Sequence, residues 1–297
     1  MKRLAIGVTL IFVCSFPTYT QAPPPMDPPD AFYSKNAPKD LVEFGMMTWP
    51  EVYRAIHSEG KTTALFYTGG TEHRGPQNVN GGHNLMAIET VIDIARKLGN
   101  ALVMPILPYS SNNASRQQTG TLGLTEEIQA LIMERLAEQA IVNGFTNVMF
   151  LNDHGGGVRG YGEVAKKLDD KYRAPEFADK KIHVYYIDRV YGPAQNDFNK
   201  MLGERGLPNS GHAVIADTSE MMYLEKGRNW VRRDLLPTAV ANAGRGATPP
   251  VDPSVRVVSN GISGDARQSS EALGKIAYEM KVNYAVEQIK KLLAGQQ

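Results

Sequence analysis

The sequence has almost no cysteine. Cys14 is the only one among 297 residues, and it lies in an apolar stretch near the N-terminus. One thiol cannot form a disulfide within the chain, and the rest of the chain has no cysteine nucleophile. Any metal bound outside this stretch must therefore be held by histidine, aspartate or glutamate side chains.

Blocks of like charge and long apolar runs are also scarce. The formal net charge is +1, and neither basic nor acidic residues form a continuous block. This composition argues against nucleic acid or an anionic membrane as a partner. The apolar run over residues 4–16 is too short to span a bilayer, so no stable membrane anchor is predicted.

The N-terminal residues are typical of an exported protein. Lys2 and Arg3 precede the apolar run, and Thr20-Gln21-Ala22 is a small-x-small cleavage site. We predict a signal peptide over residues 1–22 and a periplasmic or secreted mature chain. Residues 23–39 begin with PPPMDPPD, which predicts a Pro-rich extended tether. Residues 40–297 are predicted to form a single domain.

Strand and helix patterns alternate along this domain. The predicted strands are near-continuous apolar runs at residues 62–68, 101–109, 147–153 and 182–190. The predicted helices occupy residues 48–57, 84–98, 125–143, 158–172 and 269–293, with a further start near residue 218. Continuous apolar strands are covered on both faces. The alternation therefore favours an α/β fold with three αβα layers and a mainly parallel central sheet.

Three polar clusters interrupt this pattern. TGGTEHRG (68–75) follows the first predicted strand, and NDHGGG (152–157) follows the third. In open α/β sheets, ligands bind beyond the carboxyl ends of the strands, so these two clusters are predicted to form one site. The third cluster, SGHAVIADTSEMM (210–222), contains Asp217, which reads either as a helix cap or as a metal ligand.

Together these clusters resemble the creatininase family of metal-dependent amidohydrolases over most of the chain. The resemblance rests on five segments: TWPE (48–51), TGGTEHRGP followed by GGHN, NDHGGG, GHAVIADTS, and GDARQSSEALGK (264–275). They are similar to the family's opening helix, its Glu-x-His-Gly-Pro…Asp motif, its Asn-Gly-His-Gly-Gly-Asn loop, its His-Ala-Gly-x-x-Glu-Thr-Ser segment and the entry to its last helix. The resemblance implies a small-molecule substrate, two bridged divalent metals and a homo-oligomer, commonly a hexamer.

The departures from the family pattern change the expected metal site. Glu72 and His154 keep the family's ligand types, whereas Asp217 replaces a glutamate. Arg74 stands where the family has a histidine ligand, and His83 stands where it has the bridging aspartate. An imidazole nitrogen binds one metal, and a guanidinium has no lone pair to offer. We therefore predict one divalent metal per chain, held by Glu72, His83, His154 and Asp217. Zinc is the first choice, and manganese or iron are also compatible.

The resemblance also implies catalytic roles. His212 keeps the histidine that is proposed to act on the scissile nitrogen in creatinine hydrolases, so it is predicted to protonate the leaving group. Asp153, or alternatively Glu72 or Asp217, is predicted to accept a proton from the attacking water. Arg74 is predicted to hold an anionic or carbonyl group of the substrate.

Two other residues also have predicted roles. His73 is predicted to have a loop role, or to be a metal ligand if the loop is shifted by one residue. Glu220 is predicted to face solvent.

These roles predict a metal-dependent hydrolase that uses activated water to cleave a C–N bond of a small amide, cyclic amides included. Two alternatives remain open. The same fold could act on a lactone or a keto-sugar derivative by hydrolysis, hydration or ring opening. The chain could also be a non-catalytic periplasmic small-molecule binding protein.

Overall fold

The computed structural model describes residues 27–112, 117–208, 211–243 and 258–296. The predicted signal peptide lies outside these residues, as does the first part of the predicted tether. The described part of the tether contacts the first helix of the domain. The ring of Phe32 meets Trp49 edge-on with 5.8 Å between centroids, and the guanidinium of Arg54 lies 4.7 Å from the ring centroid of Tyr33.

Four parallel strands form the central sheet, in the order β2-β1-β3-β4. They are β1 (Thr63–Thr68), β2 (Ala101–Val103), β3 (Asn147–Asn152) and β4 (His183–Tyr186). This confirms the predicted parallel sheet. Strand β2 ends earlier than predicted because Pro105 and Pro108 have no N–H to donate to a neighbouring strand. Strand β4 also ends early, and a 3-10 turn follows at Asp188–Val190.

Seven helices of the described chain surround the sheet. They are α1 (Trp49–His57), α2 (Gly82–Leu98), α3 (Glu126–Val142), α4 (Val158–Tyr172), α5 (Gly192–Glu204), α6 (Ile215–Leu224) and α7 (Glu271–Ala294). Helix α5 was not predicted, although Ala194, Phe198 and Leu202 repeat at a helical spacing and are buried. Helix α6 begins before residue 218, which places Asp217 in its first turn.

The two faces of the sheet bury separate cores, which confirms the three-layer arrangement. Leu65 and Met149 pack with α2, α6 and α7 on one face. Ala64 and Val148 point to the other face and pack with α1, α3 and α4. Successive strand residues alternate between faces, so each strand contributes to both cores. Within the described residues, no helix has the length and hydropathy needed to cross a membrane.

The strand order creates a crevice beside β1. The chain passes from β1 to β2 on one side and later to β3 on the other, so the order reverses at β1. Such a switch point leaves a crevice at the carboxyl ends of the strands, where ligands bind in this class of fold. The loop over residues 69–81 follows β1, the loop over residues 153–157 follows β3, and α2 begins directly after the first loop.

Candidate metal centre

Three buried side chains meet in this crevice. Glu72 comes from the loop after β1, His83 from the first turn of α2, and His154 from the loop after β3. Their candidate ligand atoms all lie within 4.8 Å of one another. Glu72 Oε1 lies 3.0 Å from His83 Nε2, and Glu72 Oε2 lies 3.0 Å from His154 Nε2. One carboxylate therefore faces two imidazole nitrogens, each of a kind that can bind a cation.

The surroundings of the cluster set the charge of each group. Burial would raise the pKa of Glu72, but the hydrogen bonds from His154 and His83 outweigh burial and hold this pKa well below its ordinary value. Glu72 is therefore ionised at neutral pH. Burial lowers the pKa of His154, which favours the neutral imidazole that metals bind.

His83 is held between two carboxylates. Its Nδ1 lies 2.9 Å from Asp153 Oδ2, and its Nε2 faces Glu72. Burial and the nearby Arg74 would lower the pKa of His83, but these two hydrogen bonds and the negative charge of Asp153 together outweigh them and raise it. Ionised carboxylates only accept hydrogen bonds, so His83 without a metal carries a proton on each nitrogen. Asp153 thus lies behind His83, where it orients the ring in the way common for metal-binding histidines.

A serine and a backbone amide contact the far nitrogen of His154. His154 Nδ1 lies 2.9 Å from Ser110 Oγ and 2.8 Å from the backbone N of Gly156. The amide of Gly156 can only donate, so Nδ1 accepts and Nε2–H donates to Glu72. Binding a metal through Nε2 requires the proton on Nδ1 instead, with Ser110 Oγ as its acceptor and the Gly156 N–H turned away from Nδ1. No sequence pattern indicated a role for Ser110.

Replacing Ser110 by alanine is expected to weaken metal binding. The Nδ1 proton of His154 would have no acceptor, so the metal-binding tautomer would become less favourable. Loss of such a supporting contact typically costs about 10–100-fold in metal affinity. Competition with a chelator for zinc would measure the change. Ser111→Ala is the matched control because Ser111 is the adjacent serine and lines the same crevice. Equal zinc affinity in Ser110→Ala and the wild type would contradict this account of His154.

Asp217 lies outside the three-residue cluster. Its Oδ1 is 3.2 Å from Arg74 Nη2, and its Oδ2 accepts a hydrogen bond from the backbone N–H of Ala213 at 3.0 Å. Burial would raise the pKa of Asp217, but the adjacent Arg74 guanidinium and the other nearby positive charges together outweigh burial and lower it. The structure thus pairs Asp217 with Arg74 and does not bring it to Glu72, His83 and His154.

Arg74 is placed differently from the sequence-based expectation. Its side chain is fully buried and is not among the described residues that line the crevice, so it is not positioned to hold a substrate group. The reason is local: the loop after β1 turns inward at Arg74, and Asp217 in α6 provides the counter-ion.

His212 lies at the mouth of the cluster. It lines a cavity of about 740 Å³ together with Glu72, His83 and His154. His212 Nε2 lies 2.6 Å from the carbonyl oxygen of His73, which can only accept, so Nε2 carries the proton. Nδ1 of the neutral ring then presents a lone pair 3.6 Å from Glu72 Oε1. The side chain of His73 instead contacts the carbonyl oxygen of Thr119, at 3.1 Å, and is not part of the cluster.

The family follows from a comparison with known proteins. The family model for creatininase, described as creatinine amidohydrolase, matches residues 45–289, which is most of the chain. The chain belongs to the creatininase family. The resemblance inferred from the motifs is thereby confirmed. A comparison with curated protein sequences finds no significant match.

Solved creatininase structures share this fold at low sequence identity. A creatinine amidohydrolase (creatininase) is 20% identical with a TM-score of 0.62, covering 85% of this chain and 98% of its own. A creatininase described as a manganese form is 21% identical with a TM-score of 0.63. A mutant creatininase described as Zn-Zn type is 21% identical with a TM-score of 0.64. Each of these two covers 84% of this chain and 98% of its own. At this identity the likeness establishes the fold.

This creatininase-family chain also has buried charges that were not predicted. Glu220 was predicted to face solvent, but it is only 2% exposed, so that prediction was wrong. Helix α6 is enclosed on several sides, and Glu220 Oε2 pairs with Lys281 Nζ of α7 at 2.7 Å. Lys281 also contacts Asp153 at 2.6 Å. A sequence signal existed for Lys281, because it directly precedes the buried Val282 and lies three residues after the buried Tyr278.

Proposed function

We propose that the protein is a hydrolase that binds one divalent metal per chain and cleaves a C–N bond of a small amide, cyclic amides included. The cluster of Glu72, His83 and His154, which lines the cavity, carries this proposal. Two imidazoles, one carboxylate and an open side make up a donor set that suits catalytic zinc. Manganese and iron accept the same donors.

The buried charges favour one metal over two. The described groups around the cluster include four carboxylates and two cations, and the histidines can be neutral. The carboxylates are Glu72, Asp153, Asp217 and Glu220, and the cations are Arg74 and Lys281. Burial raises the pKa of Glu220 to about 7, so two net negative charges remain when Glu220 is ionised, and one divalent ion neutralises them. A second ion would leave a net positive charge in a buried region, and uncompensated buried charge is costly.

Each residue then has a role that follows from its position. A metal held by Glu72, His83 and His154 would polarise a substrate carbonyl and would lower the pKa of a water molecule. His212 presents the Nδ1 lone pair to the cavity, while the carbonyl of His73 fixes its ring. Nδ1 can take a proton from the attacking water and then pass it to the leaving nitrogen. Asp217 offers the cavity an ionised carboxylate that can accept a hydrogen bond from a substrate N–H or O–H.

A second candidate is hydrolysis, hydration or ring opening of a lactone or keto-sugar derivative by the same residues. The lining of the cavity supports it. Several described lining residues carry uncharged hydroxyl or amide groups, which suit a substrate with several hydroxyl groups. They are Ser111, Asn112, Gln118, Gln195, Ser259 and Ser263.

Metal content and turnover together test the proposed function. Elemental analysis of untagged protein should give about one metal ion per chain, and a panel of amides and lactones should include at least one substrate. His212→Gln should lower turnover by about 10²–10⁴-fold, the range for general acid–base groups, with metal content unchanged. Two metal ions per chain would overturn the one-metal site. Metal without any turnover would favour the non-catalytic binding protein.

We also propose that the chain is exported and forms a homo-oligomer. Export is supported by the charged start, apolar run and cleavage site within residues 1–22. The oligomer is supported by membership of the creatininase family. The intact mass of the exported protein would check cleavage after Ala22, and light scattering would give the number of subunits.

A further inference from the structure

Lys281 lies in the interior between two carboxylates. Its side chain is 11% exposed, and Nζ lies 2.6 Å from Asp153 Oδ1 and 2.7 Å from Glu220 Oε2. Lysine is rarely buried unless it is paired in this way. Burial would lower the pKa of Lys281, but the two carboxylates outweigh burial and raise it, so the ammonium is charged at neutral pH.

A continuous series of contacts joins Lys281 to the cluster. Asp153 Oδ1 accepts a hydrogen bond from Lys281 Nζ at 2.6 Å, and Asp153 Oδ2 accepts one from His83 Nδ1 at 2.9 Å. Asp153 cannot turn about its Cβ–Cγ bond without breaking one of these contacts. The only other described side-chain contact of Asp153 is a longer one, at 3.5 Å, from the hydroxyl of Tyr67. On its other nitrogen His83 faces Glu72, so the plane of the Asp153 carboxylate fixes how His83 meets the cluster.

We propose that Lys281 is a positioning residue of the metal centre, which holds the Asp153 carboxylate in the plane that aligns His83 for metal binding. The proposal rests on the proposed function, because it assumes that His83 is a ligand. Lys281 touches none of the three cluster residues in the described contacts and acts through Asp153. Helix α7, which follows all the other elements in the chain, thereby takes part in forming the site.

The test must separate this role from a simple need for buried charge balance. Lys281→Met alone would leave Asp153 and Glu220 buried without their cation, so the protein could fail to fold. Lys281→Met combined with Glu220→Gln removes one charge of each sign and leaves the net charge unchanged. The matched control is Lys275→Met with Glu279→Gln. Those two residues form an exposed ion pair on the same helix, with side chains 57% and 53% exposed.

Two measurements on these variants decide the proposal. We expect the zinc dissociation constant of the buried double variant to rise by about tenfold or more, the range for supporting contacts of metal ligands, and that of the control to stay unchanged. We also expect the hydrogen-bonded Nδ1 proton of His83, seen by NMR in the metal-free wild type, to be lost or shifted only in the buried variant. A wild-type dissociation constant and an unchanged proton signal in a folded buried variant would overturn the proposal.

Asp153→Asn shows whether Lys281 acts through Asp153. If it does, adding Asp153→Asn to the buried double variant weakens zinc binding no further than Asp153→Asn alone. If the triple variant instead loses zinc affinity by the product of the two separate losses, Lys281 does not act through Asp153, and the proposal is overturned. Failure of the wild type to bind any metal would refute the proposed function instead. The NMR comparison, made on metal-free protein, would still test whether Lys281 aligns His83.

Discussion

Replacing Glu72 by glutamine is expected to empty the metal site. The two oxygens of Glu72 face His83 and His154, and the carboxylate is ionised because the two imidazoles hold its pKa well below the ordinary value. Glutamine keeps the shape but has no charge and only one oxygen. Metal content should fall from about one ion per chain to background. Turnover should fall by more than about 100-fold, the upper value for groups that merely support a ligand.

Glu126→Gln is the matched control for this experiment. Glu126 lies in the first turn of α3 and lines the same cavity, but it is not one of the three clustered residues. The same chemical change at this position should leave the metal content as in the wild type. Elemental analysis of both variants, purified side by side, makes the comparison. A full complement of metal in Glu72→Gln would show that the cluster is not the metal site.

Replacing Asp217 by asparagine is expected to destabilise the metal-free protein strongly. Arg74 is fully buried, and its guanidinium nitrogens have no hydrogen-bond partner among the described residues, so Asp217 compensates its charge as an ion pair. Removing one partner of a buried ion pair typically costs about 3–5 kcal/mol, because the other charge stays buried without compensation. Urea unfolding at pH 7 would measure this loss. Asp170→Asn, in an exposed pair with Lys166, should cost no more than about 1 kcal/mol.

The loss of stability caused by Asp217→Asn should become smaller as the pH falls. Arg74 holds the pKa of Asp217 below its ordinary value of about 3.9. A carboxyl group with a lowered pKa in the folded state contributes fully above the ordinary value, and this contribution disappears as the pH falls toward the folded value. The gap between wild type and Asp217→Asn should therefore be widest near neutral pH and should narrow below about pH 4. An equal difference in unfolding free energy at neutral pH and below about pH 4, or no difference at all, would contradict the ion pair and would favour Asp217 as a metal ligand.

Much of the fold was predictable because local patterns determine it. Continuous apolar runs marked the strands of a covered parallel sheet, and the capping signal at Thr125 marked the start of α3, where the Thr125 hydroxyl accepts from the backbone N–H of Ile128. The apolar run at residues 101–109 predicts one long strand by its hydropathy, whereas its two prolines interrupt strand pairing and β2 ends at Val103. Helix α5 was missed because its polar and small residues obscure the three buried positions.

Part of the site was predictable for a different reason. Glu72 and His154 lie in the loops that follow two strands, and strand ends of a parallel sheet meet at one edge. His83 begins the helix that follows the first of these loops, and all three residues belong to recognisable motifs. The contacts of Arg74 and Asp217 could not be deduced in this way, since motif position does not reveal which way a side chain turns. Lys281 and Asp153 are 128 positions apart, so no local pattern indicates their contact.

The contacts of Glu72 with both imidazoles bear on how the protein acquires its metal. Without a metal, every polar atom of the three clustered side chains still has a partner, from Asp153 at one end to the amide of Gly156 at the other. Two N–H protons occupy the contacts that a metal would take over. Burying these three side chains therefore does not require an ion. We therefore expect the bound metal to depend on which ions are available to the folded protein.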